Sequence, residues 1–283
     1  MREKFSLVLE GGGMRGIYTA GVLDCLMLHK IVADTLVGVS AGAVNGVNYL
    51  SKQIGRQKDI ILKYTNDPRY MSFTSFLTTG DLFPKDFCYD ELPHTIEPFD
   101  YETFKNSPTK MFAVVTNLES GKPEYLRVKD LDKDIDVIRA SASLPMVSNN
   151  VKIGDNEYLD GGIADSIPVM RAVKWGYEKN IVVLTRPRDY KKSPSKMQNI
   201  IKLKYRKYPE FVKTSALRYK RYNKTLEKIE SLERKGMAFV VAPSKHFDVS
   251  RTEKDVGKLA DLYELGYKDA MSKISKIREY IAE

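Results

Sequence analysis

Ser40 stands at the centre of Gly38-Val39-Ser40-Ala41-Gly42, a GxSxG pentapeptide. An apolar, β-branched run, Thr35-Leu36-Val37, precedes it, and a helix-compatible stretch, Ala43 to Leu50, follows. A strand, a sharp turn and a helix form the setting in which small neighbours let a serine adopt a strained backbone and project its hydroxyl as a nucleophile. The helix that begins there also offers free N–H groups and the positive end of its dipole to a developing oxyanion. Taken alone, the pentapeptide reads equally well as a glycine-rich turn with a capping serine.

A second signal lies one strand and one helix earlier. Phe5-Ser6-Leu7-Val8-Leu9 reads as a short buried strand, and Glu10 and Gly11-Gly12-Gly13 turn the chain into a helix expected from about Arg15 to His29. Consecutive glycines reach positive φ freely and expose a row of backbone N–H groups, an anion nest. A right-handed crossover lays the second strand beside the first, so the glycine run and Ser40 open on the same sheet edge. That pairing suits acyl transfer. Gly11, Gly13 and Gly16 also match GxGxxG, but dinucleotide binding needs an acidic residue at the end of the second strand, where this chain has Gly38-Val39-Ser40. No Gly-Lys-Ser/Thr follows the glycines, which excludes a P-loop.

The serine requires a base. The chain has three histidines, His29, His94 and His246, and His246 alone suits a late Ser–Asp–His order. In that order the elbow normally follows several strands, whereas here it ends the second. The other candidate is Asp160, in Tyr158-Leu159-Asp160-Gly161-Gly162, which closes a short strand after a Gly154-Asp155-Asn156 turn. Two glycines after it permit close backbone approach. Held in a partly desolvated pocket, such a carboxylate has a raised pKa and is a stronger base.

Glu10 to Gly16, then Gly38 to Gly42, then Asp160-Gly161-Gly162, in that order, resemble the patatin-like phospholipases. Ala140-Ser141-Ala142-Ser143-Leu144-Pro145 is similar to a segment those proteins carry before the aspartate, and the likeness spans roughly residues 5 to 185. It implies a three-layer α/β fold, a mostly parallel sheet flanked by helices, and a serine lipid acyl hydrolase cleaving glycerolipid or phospholipid esters. It also implies a Ser40–Asp160 dyad without histidine, and an oxyanion hole at Gly11, Gly12 and Gly13. Glu10 departs from the Asp that plant members tend to carry. A lipid- or partner-binding protein that kept the fold and lost the chemistry is the alternative.

Arg15 opposes the dipole of the helix it opens, at a typical cost of a few tenths of a kcal/mol. Its placement suggests a local use, toward a carboxylate or a headgroup phosphate, although a surface salt bridge is the commoner fate. Two cysteines, Cys25 and Cys88, are too few for a disulfide framework, and no spacing suggests a metal or cofactor. The chain enters its first strand at once and has no run of eighteen apolar residues, so a cytoplasmic protein without an export signal is expected.

Strands and helices alternate up to about residue 185, including a hairpin of Met111–Val115 with Glu124–Val128, a helix opened by Pro168 and a strand at Ile181–Leu184. Tyr70 to Phe104, rich in aromatics and prolines, reads as an irregular excursion that either lines an acyl groove or covers the core. Residues 186–283 read as a basic, mainly helical extension of a hydrolase domain at 5–185. From Arg188 to Lys235 there are sixteen Lys or Arg against five Asp or Glu, which exceeds the whole chain's net +9. Val212, Ala216, Tyr219, Leu226 and Ile229 recur at helical spacing there. This face suits peripheral contact with an anionic membrane, or simply a solvated helix packed on the hydrolase; no nucleic-acid partner is expected.

Overall fold

The computed structural model describes residues 3–282; Met1, Arg2 and Glu283, the last residue of the expected helical extension, lie outside the described residues. Strand β1 (Phe5–Leu9) leads through the glycines and one 3-10 turn, Gly13–Gly16, into helix α1 (Ile17–Leu28). Strand β2 (Thr35–Val39) then runs straight into α2 (Ala41–Leu50). Next come α3 (Arg56–Tyr64), α4 (Phe73–Thr79), a wide π-type helical stretch Asp86–Ile96, and α5 (Tyr101–Lys105). The segment from Tyr70 to Phe104 is thus largely helical, not irregular. Ser72 and Asp100 start α4 and α5 by accepting the Ser75 and Thr103 N–H bonds, a local capping signal that its prolines and aromatics obscure.

The expected hairpin is β3 (Lys110–Asn117) with β4 (Pro123–Val128). Then follow α6 (Leu131–Ala142), β5 (Val151–Ile153), β6 (Asn156–Asp160), α7 (Val169–Lys174) and β7 (Lys179–Val183). The remainder comprises α8 (Gln198–Lys204), α9 (Pro209–Ala216), α10 (Arg218–Arg234), β8 (Phe239–Val241), α11 (Val256–Met271) and α12 (Ile274–Ala282). The sheet runs β5-β6-β3-β2-β1-β7-β8, with β4 also on β3. Its centre, β3-β2-β1-β7-β8, is parallel; β4, β5 and β6 pair antiparallel.

Alternation along β1 sets the layers. Phe5, Leu7 and Leu9 pack with α1, α2, α11 and α12 on one face, while Val8 packs with α7 and α10 on the other. Burial on both faces is why the parallel strands are continuous apolar runs. The boundary expected at residues 185/186 falls just after β7, but β8 extends the same sheet. The core cluster around α1 likewise takes Leu259, Leu262, Ile277 and Ile281 from the far end of the chain. Helix α1 is buried all round from Ile17 to Leu26 because α11 covers its outer side. The two helices cross at glycines: a Cβ on Gly21 would sit 2.2 Å from the Tyr263 carbonyl oxygen, and one on Gly266 2.1 Å from that of Tyr18. Where the basic stretch packs, it packs inward. Tyr222, Leu226 and Ile229 of α10 join the second cluster, and Tyr205 lies buried against Phe211.

Candidate active site

Ser40 lies between β2 and α2 with φ 54° and ψ −124°, a left-handed conformation that costs a non-glycine residue about 1–3 kcal/mol. Small neighbours make the turn possible. A Cβ on Gly38 would meet Ala43 backbone at 2.7 Å, and one on Gly42 would meet the Leu9 carbonyl oxygen at 2.6 Å. The turn is held by Ser141, whose hydroxyl accepts the Ser40 N–H at 3.0 Å and donates to the Val114 carbonyl at 2.7 Å.

Strand β3 brings the aspartate to the serine. Its first residues, Lys110 to Val114, pair with β2, and its last, Val115 to Asn117, with β6. Strand β4 pairs with Met111 to Thr116 and so occupies the opposite edge, which leaves β2 and β6 to share one edge end to end. Val39 is opposite Val114 and Asp160 opposite Val115, so the chain ends that carry Ser40 and Asp160 meet at adjacent positions. The Asp160 N–H donates to the Ser143 carbonyl at 2.8 Å, and a Cβ on Gly161 would strike the Val114 carbonyl oxygen at 2.1 Å. The Ala140–Pro145 segment is therefore the clip that holds both strand ends.

Asp160 is buried. Its Oδ1 accepts the Gly162 N–H at 2.7 Å, while Oδ2 has no hydrogen-bond partner. Burial raises its pKa above the ordinary carboxylate value; Arg218 opposes this most, followed by the Ser40 hydroxyl and the Gly162 N–H. The serine hydroxyl thus approaches the carboxyl without closing a hydrogen bond, as is common before substrate binds. Of the histidines, His246 is exposed and pairs with Asp189 at 3.1 Å, and His94 is exposed and stacks on Tyr101. None of the three lines either cavity beside Ser40.

The glycine run passes over Ser40: a Cβ on Gly11 would come within 3.0 Å of the Ser40 Cβ. Glu10 N–H bonds to Val183 and Met14 N–H to Arg251, but the N–H groups of Gly11, Gly12 and Gly13 make no hydrogen bond among the described residues. They form the free row of donors expected from the sequence. Glu10 is tied on both oxygens, by Thr185 N–H at 2.6 Å and by the Tyr222 hydroxyl at 2.8 Å. It is thus a brace between the glycine loop and α10. Arg15 is 6% exposed and forms no salt bridge among the described residues, so it is not a surface ion pair there. Burial, then Arg186 and Arg251, lower its pKa to about 10.

Two cavities meet at Ser40. One, of about 150 Å³, is walled by Met14, Val44, Val47, Ile60, Ile61, Ile135, Ile138 and Leu144, together with Tyr70, Phe83, Tyr89 and Phe99. The aromatic stretch therefore both lines a cavity and, through Phe87 and Leu92, builds core. The other, of about 20 Å³, holds Gly11, Gly12, Gly13, Arg15, Ser40 and Asp160, so the residues of the expected serine–aspartate site share one wall. Arg186, Lys192, Arg218, Tyr222 and Arg251 share it. Sequence reasoning missed these five; for Lys192 and Arg218 the signal was the local charge excess, which says nothing about which side chains turn inward, and Arg186 and Arg251 lie outside it.

The patatin-like phospholipase profile matches residues 7–173, more than half of the chain. The chain belongs to the patatin-like phospholipase family. A separate profile, a domain of unknown function (DUF6363), matches residues 208–282. Among relatives, the uncharacterized protein YjjU of Escherichia coli is 32% identical over 198 residues, 65% of this chain and 52% of YjjU. The probable lipid hydrolase 463L of Invertebrate iridescent virus 6 is 25% identical, over 62% of this chain and 65% of that protein. Lysophospholipase NTE1 of Cryptococcus neoformans is 27% identical over 98% of this chain, but 17% of its own length. This chain thus spans about half of YjjU and less than two thirds of 463L. VipD of Legionella pneumophila aligns over 98% of this chain and 67% of its own, with 13% identity and a TM-score of 0.47. The patatin-like family is one of lipid hydrolases, and the fold here is its mixed, mostly parallel α/β sheet with a helical C-terminal region. Among the described residues no helix is long and apolar enough to cross a membrane.

Proposed function

We propose that this patatin-like protein is a serine esterase acting on glycerolipid acyl esters. The observation that carries the reading is the meeting of β2 and β6 on β3, which sets Ser40 against a buried, partly unpartnered Asp160 beneath free glycine N–H groups. Asp160 takes the Ser40 proton as the serine oxygen attacks the ester carbonyl. The N–H groups of Gly11, Gly12 and Gly13 hold the oxyanion. Collapse breaks the ester bond, and Asp160 returns the proton to the departing alcohol. A water, deprotonated by Asp160, then attacks the acyl carbonyl, and as the acyl–Ser40 bond breaks Asp160 hands that proton to the Ser40 oxygen, releasing the fatty acid and restoring the dyad. The apolar cavity takes the acyl chain, each buried methylene contributing about 0.8 kcal/mol. The lysophospholipase and lipid-hydrolase names of two relatives support a lipid ester over other carbonyl substrates.

A fluorophosphonate probe tests the assignment. It should label Ser40 in the folded protein; labelling at Ser141 or Ser143 overturns the assignment of Ser40, and no labelling at all returns the chain to a lipid-binding protein on a catalytic fold. Contact with an anionic membrane belongs to the same proposal. Helix α8 supports it by leaving Ile200 and Leu203 exposed beside exposed Lys202 and Lys204.

A further inference from the structure

The small cavity beside Ser40 collects five cationic side chains: Arg15, Arg186, Lys192, Arg218 and Arg251. Arg15 follows the glycines, Arg186 and Lys192 follow β7, Arg218 opens α10, and Arg251 lies in the loop before α11. None of the five makes a salt bridge or a side-chain hydrogen bond among the described residues, and the Nε atoms of Arg15 and Arg218 are buried without a partner. Of the two carboxylates on the same wall, Glu10 is engaged on both oxygens, while Asp160 is bonded by the Gly162 N–H on one oxygen and offsets part of the Arg218 charge. Like charges gathered out of water are costly unless something pairs them. Burial first, and then Arg218 and Arg251, push the Lys192 ammonium down to about 7; burial, then Arg251, lower Arg218 to about 10. The faces of Tyr190 and Tyr222 offset part of the charge of Arg186 and Lys192, and Asp160 part of that of Arg218; an anion in the niche would offset the rest.

Charge and geometry narrow the anion. Four arginines and Lys192, half protonated near pH 7, against two carboxylates leave an excess of two to three. A phosphate offsets most of that, and its tetrahedral oxygens suit guanidinium forks. Position narrows it further: the niche lies across Ser40 from the apolar cavity, and only Ser40, Gly13, Leu144 and Arg251 line both. An acyl chain on one side puts the leaving alcohol on the other. The present volume, about 20 Å³, holds little more than a water, so a phosphate enters as the exposed Arg251 and half-buried Arg186 swing outward.

We propose that Arg15, Arg186, Lys192, Arg218 and Arg251 form a phosphate subsite on the leaving-group side of Ser40, favouring esters whose alcohol half carries a phosphate. Four of the five come after residue 185, beyond the patatin-like match, and Arg218 and Arg251 lie within the domain of unknown function. That domain thereby gains a role: it completes the substrate site. It is docked for the purpose, since the Arg251 carbonyl accepts the Met14 N–H at 3.0 Å and would lie 2.6 Å from a Cβ on Gly13, whose φ is +58°. The substrate preference rests on the esterase reading of Ser40; the anion site does not.

The test uses the full chain and reads binding and turnover separately. Calorimetry with inorganic phosphate and with sn-glycerol 3-phosphate should show binding to the unsubstituted protein. It should weaken about ten-fold or more in the Lys192→Met/Arg251→Met variant and little in Lys191→Met/Lys196→Met, which removes equal charge from exposed neighbours. Circular dichroism and Tm confirm that both variants fold. In turnover, the kcat/KM ratio for short-chain phosphatidate over the matching diacylglycerol should exceed one and drop about ten-fold in the first variant alone. Equal weakening in both variants, or no phosphate binding by a protein that hydrolyses neutral esters, overturns the subsite. Phosphate binding without preference for phosphatidate overturns the headgroup assignment and leaves a free anion as the occupant. Binding that depends on Lys192 and Arg251, in a protein that cleaves no ester, upholds the subsite and sinks the esterase reading.

Discussion

The two sides of Ser40 are built from different parts of the chain by different physics. The apolar side comes from α2, α3, α6 and the aromatic stretch before β3, all within the patatin-like match. Its contacts are non-directional, so it can select by volume and chain length. The charged side draws Arg186, Lys192, Arg218 and Arg251 from after β7, and there a single misplaced side chain changes the field felt by Asp160. The strained turn at Ser40 thus needs only one short region, whereas the cavities on its two sides draw on segments far apart in the chain.

The largest effect should come from removing what both sides share. Asp160→Asn should lower ester turnover by about four orders of magnitude, while His246→Ala stays within a few-fold. Loss on the histidine change in a folded protein would break the two-sided scheme, because His246 lies on neither wall. The sign of the pH dependence follows from Asp160. Its carboxyl must be ionised to accept a proton, and burial raises its pKa, so kcat/KM should fall as pH drops through a value above the ordinary carboxylate of about 3.9. An acid limb at or below that value would mean that Arg218 outweighs burial.

A second contrast isolates the apolar wall. Ile138→Trp should fill the 150 Å³ cavity and shift the preferred acyl chain toward shorter esters, with a roughly ten- to hundred-fold fall in the long-to-short kcat/KM ratio. A chain-length profile that does not move would place the acyl group elsewhere. Smaller again is the effect of loosening the two regions from each other. Gly266→Ala sets a methyl against the Tyr18 carbonyl oxygen and should cost about 1–3 kcal/mol in denaturant unfolding, since backbone cannot yield as a side chain does. An unchanged midpoint would show that α1 and α11 do not depend on close contact. The smallest effect concerns the outside of the charged region. Ile200→Asp with Leu203→Asp should reduce sedimentation with anionic liposomes a few-fold, and binding by the unsubstituted protein should fall as salt rises. Indifference to both would make the exposed face of α8 plain solvated surface.

Ser40 and the glycine run could be picked out in the sequence because each lies in a locally unusual backbone that only certain residues tolerate, and Asp160 because two glycines follow it where the chain passes close to Val114. β1, β2, the β3–β4 hairpin and β7 showed themselves by apolar periodicity. The helices between Tyr70 and Phe104 did not, because Pro93 lies inside a wide helical stretch where a breaker is expected. The role of Ser141 and Ser143 was hidden too. Their sequence resembled a family segment, but clipping two strand ends to β3 is a relation among residues far apart in the chain.

The basic stretch marks the limit most clearly. Composition established its charge and its helical spacing, and both suit a membrane face. Packing then turned Tyr222 onto Glu10, buried Tyr205 against Phe211, and brought Lys192 and Arg218 in beside the Asp160 carboxylate. The sequence by itself determined the strained serine turn, the row of free N–H groups and the excess of cations, because these depend on residue type and near neighbours. Only the tertiary structure decided that β2 and β6 would share one edge of β3, and which cations would face Ser40. Strand pairing and desolvation are sums over distant segments, and no local run of residues encodes them.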